Sequence, residues 1–174
     1  MNMVHMLQGY VMTSEFHKYL NDPSGWESLA INKREPITIR LFRQIGEYRF
    51  CLHRFTACDH DEAVMHPHPW PAAFRILRGG YWMGLGRSPD LVTKKVTMTS
   101  HLYLPEGSIY SITDPHVWHS VEPDKETWTI MINGPDFQHM HEAVRRTAGK
   151  GLSPVSPESV ARDLGVFRQL LTLK

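Results

Sequence analysis

No apolar run in this chain reaches the roughly 18 residues of a membrane-spanning helix, so no membrane partner is expected. Cysteine is scarce. Cys51 and Cys58 are too few for a disulfide framework or a four-thiolate zinc site, and they read as reduced packing residues. Neither sign of charge prevails, with 19 Lys and Arg against 18 Asp and Glu, so the chain lacks the basic field that holds phosphate backbones, and no nucleic-acid partner is expected. The pair Ala161 and Gly165 has the spacing of a helix-turn-helix unit, but too little basic helix follows it to read DNA. Residues 1–10 show no basic stretch leading into an apolar block, so the expected compartment is the cytoplasm.

Histidine is abundant, with 11 copies, and there are 5 tryptophans. Most cluster centrally: His53, His60, His66, His68, His101, His116 and His119, with Trp70, Trp82 and Trp118 among them and Trp128 just beyond. The 174 residues suit a single domain. We divide it into an N-terminal extension (1–36), a β barrel (37–135) and a C-terminal helical extension packed on the barrel (136–174). In the first part, Ser14 is the expected cap of a short helix over 15–20. Alternating Ile, Val, Thr and aromatic residues then predict strands at 37–44, 48–55, 74–85, 92–104, 108–113, 119–122 and 127–133. Strands without intervening helices favour a sandwich or small barrel. Asp136 is the expected cap of a helix over 137–148, and Ser156 with Pro157 the start of a last helix. That helix should bury Val160, Leu164, Phe167 and Leu171 despite Gly165 in its middle.

The strongest local signal is His66-Pro67-His68-Pro69-Trp70. On an extended chain, residues two apart point to one face, so both imidazoles can reach one ion. The prolines suit an edge or rim. Further on, Pro105-Glu106-Gly107-Ser108 reads as a turn opening a strand, and 114–119 as a second turn with His116 and His119.

These blocks resemble the cupins. His66 and His68 match the family's His-X-His, Gly79 or Gly80 its later glycine, Gly107 the glycine of its second motif, and His119 lies twelve residues beyond that glycine. The blocks 52–55, 66–70, 79–82 and 118–119 are similar to a group of poorly characterised cupin-like proteins of bacteria and phages. The resemblance implies an all-β core, a cupin-type double-stranded β-helix (jelly-roll barrel), with short N- and C-terminal helices. It also implies a divalent metal ion held by His66, His68 and His119. His116 is the alternative third ligand, and His53 a further candidate that reads better as a hydrogen-bonded barrel residue. The family's glutamate falls at Ala72 or Ala73, neither of which can ligate, so no carboxylate is expected on the ion. Three neutral nitrogens leave the ion its full charge; Fe(II) is favoured, with Zn(II), Ni(II) and Cu(II) compatible.

Trp70, Trp82 and Trp118 are candidate walls of a substrate cup, and Arg78 a candidate anchor for an anion. The functional expectation is a small-molecule enzyme of the non-haem iron dioxygenase kind. Alternatives are a metal-independent sugar epimerase or isomerase, which needs a carboxylate orienting a histidine base, and a non-catalytic ligand-binding module. A homodimer is expected, because the strand at 37–44 reads as an edge that must be covered.

Overall fold

The computed structural model describes residues 2–32, 36–58, 63–89, 95–137 and 152–172. Two helices open the chain, α1 (Met3–Val11) and α2 (Ser14–Asn21). The cap of α2 is Thr13 rather than Ser14: Thr13 is extended, and its hydroxyl accepts from the Phe16 amide at 3.2 Å. Leu7, Val11, Phe16 and Leu20 line the buried faces of the pair. Among the described residues no helix is long and apolar enough to cross a membrane. The helix expected over 137–148 lies almost wholly outside the described residues.

The chain then builds two antiparallel sheets. The larger runs β11-β1-β2-β3-β10-β5-β8, from β1 (Glu27–Asn32), β2 (Pro36–Ile45), β3 (Tyr48–Phe55), β5 (Ala72–Arg78), β8 (Ile109–Ile112), β10 (Thr127–Asn133) and β11 (Leu152–Ser153). The smaller runs β4-β9-β6-β7, from β4 (His66–Pro67), β6 (Gly80–Arg87), β7 (Thr97–Pro105) and β9 (Val117–Pro123). β1 and β11 carry too little alternation to be read as strands from sequence, yet they lie outside β2, which is therefore not an edge.

Period-2 alternation gives the larger sheet two different faces. Phe50 and Leu52 of β3, Ile130 and Ile132 of β10, and Ala73 and Leu77 of β5 form one core with the helices. Cys51, Met131, Ala72, Phe74 and Ile112 form a separate cluster on the opposite side. The last helix, α3 (Pro157–Thr172), closes the first core with Val160, Leu164, Phe167 and Leu171, as its spacing predicts. Its Asp163 is buried as well, paired with Arg54 of β3 at 3.1 Å.

The 74–85 stretch, expected as one strand, is two. Gly79 adopts φ +88°, and the chain leaves one sheet as β5 and enters the other as β6. A side chain there would also meet Thr127 Oγ1 and the Glu126 carbonyl, at 2.5 and 2.8 Å from its Cβ. Thr127 pins the crossing, accepting from the Gly80 amide at 3.1 Å and donating to the Gly80 carbonyl at 2.8 Å. Gly79→Ala therefore combines a left-handed backbone with a clash against main chain. It should cost about 2 kcal/mol or more in urea denaturation, whereas Gly107→Ala, also at positive φ but in open space, should cost less.

Candidate metal centre

β4 and β9 pair with His66 opposite His119, and Pro67 opposite Trp118. His68, one residue past β4, returns to the same side as His66. The three imidazoles converge, each offering a nitrogen within 4.8 Å of the others. Ring centroids are 4.6 Å apart for His66 and His119, 4.8 Å for His68 and His119, and 5.3 Å for His66 and His68. His68 and His119 are buried, while His66 stands at the rim with exposed surface.

Hydrogen bonds orient the rings. His66 donates from Nδ1 to the Val64 carbonyl at 2.9 Å, which leaves the Nε2 lone pair for a ligand. Nε2 of His68 lies 2.8 Å from Nε2 of His119. Two nitrogens aimed at the same space need a proton or a cation between them. Ligands at about 2.1 Å from an ion, set at right angles, lie about 3 Å apart, so the spacing of this pair suits a divalent cation, and the three histidines together could hold one. Nδ1 of His119 is buried and has no hydrogen-bond partner among the described residues. Among the described residues no carboxylate contacts any of the three rings. Asp114 pairs with Arg87 at 2.8 Å; of the two alanines at the glutamate's place, Ala72 is buried in the inner cluster and Ala73 in the core under the helices; Asp59 and Glu62 lie outside the described residues.

His53 stands behind this group. Its Nε2 accepts from Arg40 Nε at 2.9 Å, so the proton is on Nδ1, which donates to Thr129 Oγ1 at 3.2 Å. Burial pushes His53, His68 and His119 well below the usual histidine range. At His53 the Arg40 charge adds most to this; at His119 it is His66 and then His68; at His68 it is His66, Arg40 and His53. Desolvation also lowers His66, the bond to Val64 opposes the shift, and the Arg40 charge adds to it. Near neutrality the nitrogens are thus uncharged and able to ligate.

Other candidates stand elsewhere. His116 bonds through Nδ1 to the Ser88 carbonyl at 3.1 Å. Arg78 pairs with Glu126 at 3.2 Å and lies over the Trp128 ring, on the helix side of the larger sheet; the bulge at Trp128/Thr129 shifts the parity that pointed it inward. Trp82 is 44% exposed and stacks on His101. Trp118, next to His119 in a strand, faces the opposite side and is buried. Trp70 is adjacent to the centre, its ring 6.1 Å from that of His68. Arg40 was not legible as a site residue, although it shares strand parity with Phe42, which packs against the inner cluster.

No family model matches the chain, and no curated protein matches it in sequence. Solved structures do match. Fe(II)-HppE with the alternative substrate (S)-1-HPP superposes with a TM-score of 0.51 at 15% identity, covering 64% of this chain and 57% of that one. Fe(II) HppE in complex with substrate gives 0.50 at 15% identity, over 64% and 58%. The fold is a cupin barrel. A structure of hydroxypropylphosphonic acid epoxidase from S. wedmorenis matches at 0.49 and 16% identity, over 64% and 56%. The chain spans little more than half the length of these proteins, and at such identity the likeness concerns the fold. Within the barrel, the three-histidine cluster is one that could hold a metal ion.

The depressed histidines fix the sign of a pH effect. In the metal-free protein the unfolded chain takes up protons below about pH 6.5, while the buried rings resist them. Stability should be complete above that pH and fall as pH drops, by up to roughly 1.4 kcal/mol per unit for each ring. Urea denaturation between pH 7.5 and 5.5, above the ordinary carboxylate range, reads this directly. A gain in stability toward acid would contradict it.

Proposed function

We propose that the protein is a metal-dependent small-molecule oxygenase of the cupin type, with iron(II) held by His66, His68 and His119. The observation that carries the reading is the convergence of three neutral imidazoles, one of them oriented by the Val64 carbonyl. An ion held by neutral nitrogens supplies Lewis acidity and, when it is iron, a one-electron couple for dioxygen chemistry. The protein's own part is to keep the nitrogens unprotonated, to exclude water with Phe74 and Trp70, whose rings stand 5.5 and 6.1 Å from His68, and to leave the exposed His66 side open for entry. An epimerase base would need a carboxylate on its histidine; among the described residues none reaches the three rings of the centre, and the pair His101 with Glu122, at 3.3 Å, stands on the other face of β9 from His119.

Metal analysis of untagged protein, followed by oxygen-uptake assays over a panel of small organic substrates, tests the proposal. Exchanging His68 or His119 for Ala should abolish stoichiometric metal binding and turnover together, with little change in the unfolding midpoint once both proteins are metal-free. Metal uptake without turnover on any substrate would favour a binding module. Full activity after metal stripping would remove the ion from the reaction.

We propose a cytoplasmic location as well, since two cysteines are too few for the disulfide framework of a small secreted domain. We also propose a homodimer. β7 is an edge of the smaller sheet, and exposed Trp82, Met98 and Tyr103 lie on it or its neighbour. Light scattering should give twice the chain mass; a monomer at high concentration would count against it.

A further inference from the structure

Beside the histidines lies a second small site. A pocket of about 50 Å³ is lined by Leu29, Arg40, Phe42, Arg49, Cys51 and Trp70. A single water needs about 10–15 Å³ on this measure, so the space holds a few waters or one compact polar group. Its polar side chains are donors. Arg40 is held by its Nε bond to His53, and among the described residues no carboxylate pairs with it. Arg49 makes no ion pair among them either; its guanidinium lies over the rings of Phe42 and Trp70, at 5.5 and 5.9 Å from their centroids. The indole Nε1 of Trp70 is buried without an acceptor among the described residues. The Cys51 thiol, pushed up to about 11 by burial, adds no negative charge and directs its proton to Asn133 Oδ1 at 3.8 Å.

Two guanidinium groups with no ion pair among the described residues, and an indole N–H without an acceptor among them, repel a cation and give a hydroxyl donor no described carboxylate to bond. They match an oxyanion, for which the planar arginine fork is suited. We propose that this pocket binds the anionic head, a carboxylate or a phosphate, of the small molecule on which the histidine centre acts. This rests on the reading of the centre given above and names its substrate class. Trp70 lines the pocket and its ring stands 6.1 Å from that of His68, while Arg40 bonds His53 at 2.9 Å, so an anion seated here would lie beside the histidine centre. The pocket is too small for more than the headgroup.

The test is isothermal titration of the full chain, metal-free and loaded with Co(II), with sodium phosphate and separately with sodium acetate at constant ionic strength. Saturable binding of at least one anion is expected, weakened tenfold or more by Arg49→Gln, less by Arg49→Lys, and unchanged by Arg168→Gln at the surface. Trp70→Phe, which keeps the ring and removes the N–H, should also weaken it and serves if Arg49→Gln fails to fold. Phosphate binding alone assigns a phosphate-bearing substrate, and acetate binding alone a carboxylate. Co(II) uptake, read by visible absorption, should be the same in wild type and Arg49→Gln. No saturable binding of either anion, or equal binding by Arg49→Gln, overturns the subsite, and normal Co(II) uptake then leaves the metal centre standing. Absent Co(II) uptake with Arg49-dependent anion binding supports the subsite and strikes the centre instead.

Discussion

The register that sets His66 against His119 is the constraint on which the centre depends. β9 is fixed from its other side, paired along its whole length with β6 from Tyr81↔Pro123 to Arg87↔Val117. A slip of one residue would turn His119 away and bring Trp118 in, because side chains alternate with period 2. Through that register two residues 51 apart, His68 and His119, bring their Nε2 atoms to 2.8 Å. Gly79 serves the same end, since only the crossing there places β6 in the smaller sheet to receive β9.

The larger sheet divides its labour between its faces. On β3, Phe50 and Leu52 enter the core under the helices, while Cys51 and His53 turn to the other side. Arg40 on β2 follows the inward parity and orders His53, which in turn bonds Thr129 on β10. The helix-covered side carries its own buried charge pair, Arg54 with Asp163, which ties α3 to the strand that carries His53. Asp163 also bonds Arg162, its neighbour on α3, at 3.2 Å, so the buried carboxylate is held by two guanidinium groups, one from the helix and one from the sheet.

Much of this was legible because it rests on local pattern. The spacing of Val160, Leu164, Phe167 and Leu171 predicts the buried face of α3 without help from the rest of the chain. His66 and His68 follow from the period of an extended chain, and His119 from the cupin resemblance. What escaped depends on distant partners or on a shift of one residue. β1 and β11 pair with each other across the termini of the domain, where local alternation is weak. The bulge at Trp128/Thr129 reverses the face on which Arg78 falls, and no sequence rule locates such a bulge. Arg40 looked like one more polar strand residue until the fold set it beside His53.

β4 itself is tied down lightly. It is two residues long and makes two pairs with β9, at the edge of its sheet, with Pro67 unable to donate to the ladder. Segments held by so few bonds open far more often than the strands around them. What holds its far end is the chain after β10, where the Phe137 and Gly134 amides donate to the Pro69 and Pro71 carbonyls at 2.8 and 3.0 Å. The placing of His66 and His68 thus depends on the exit from β10 as much as on the ladder with β9.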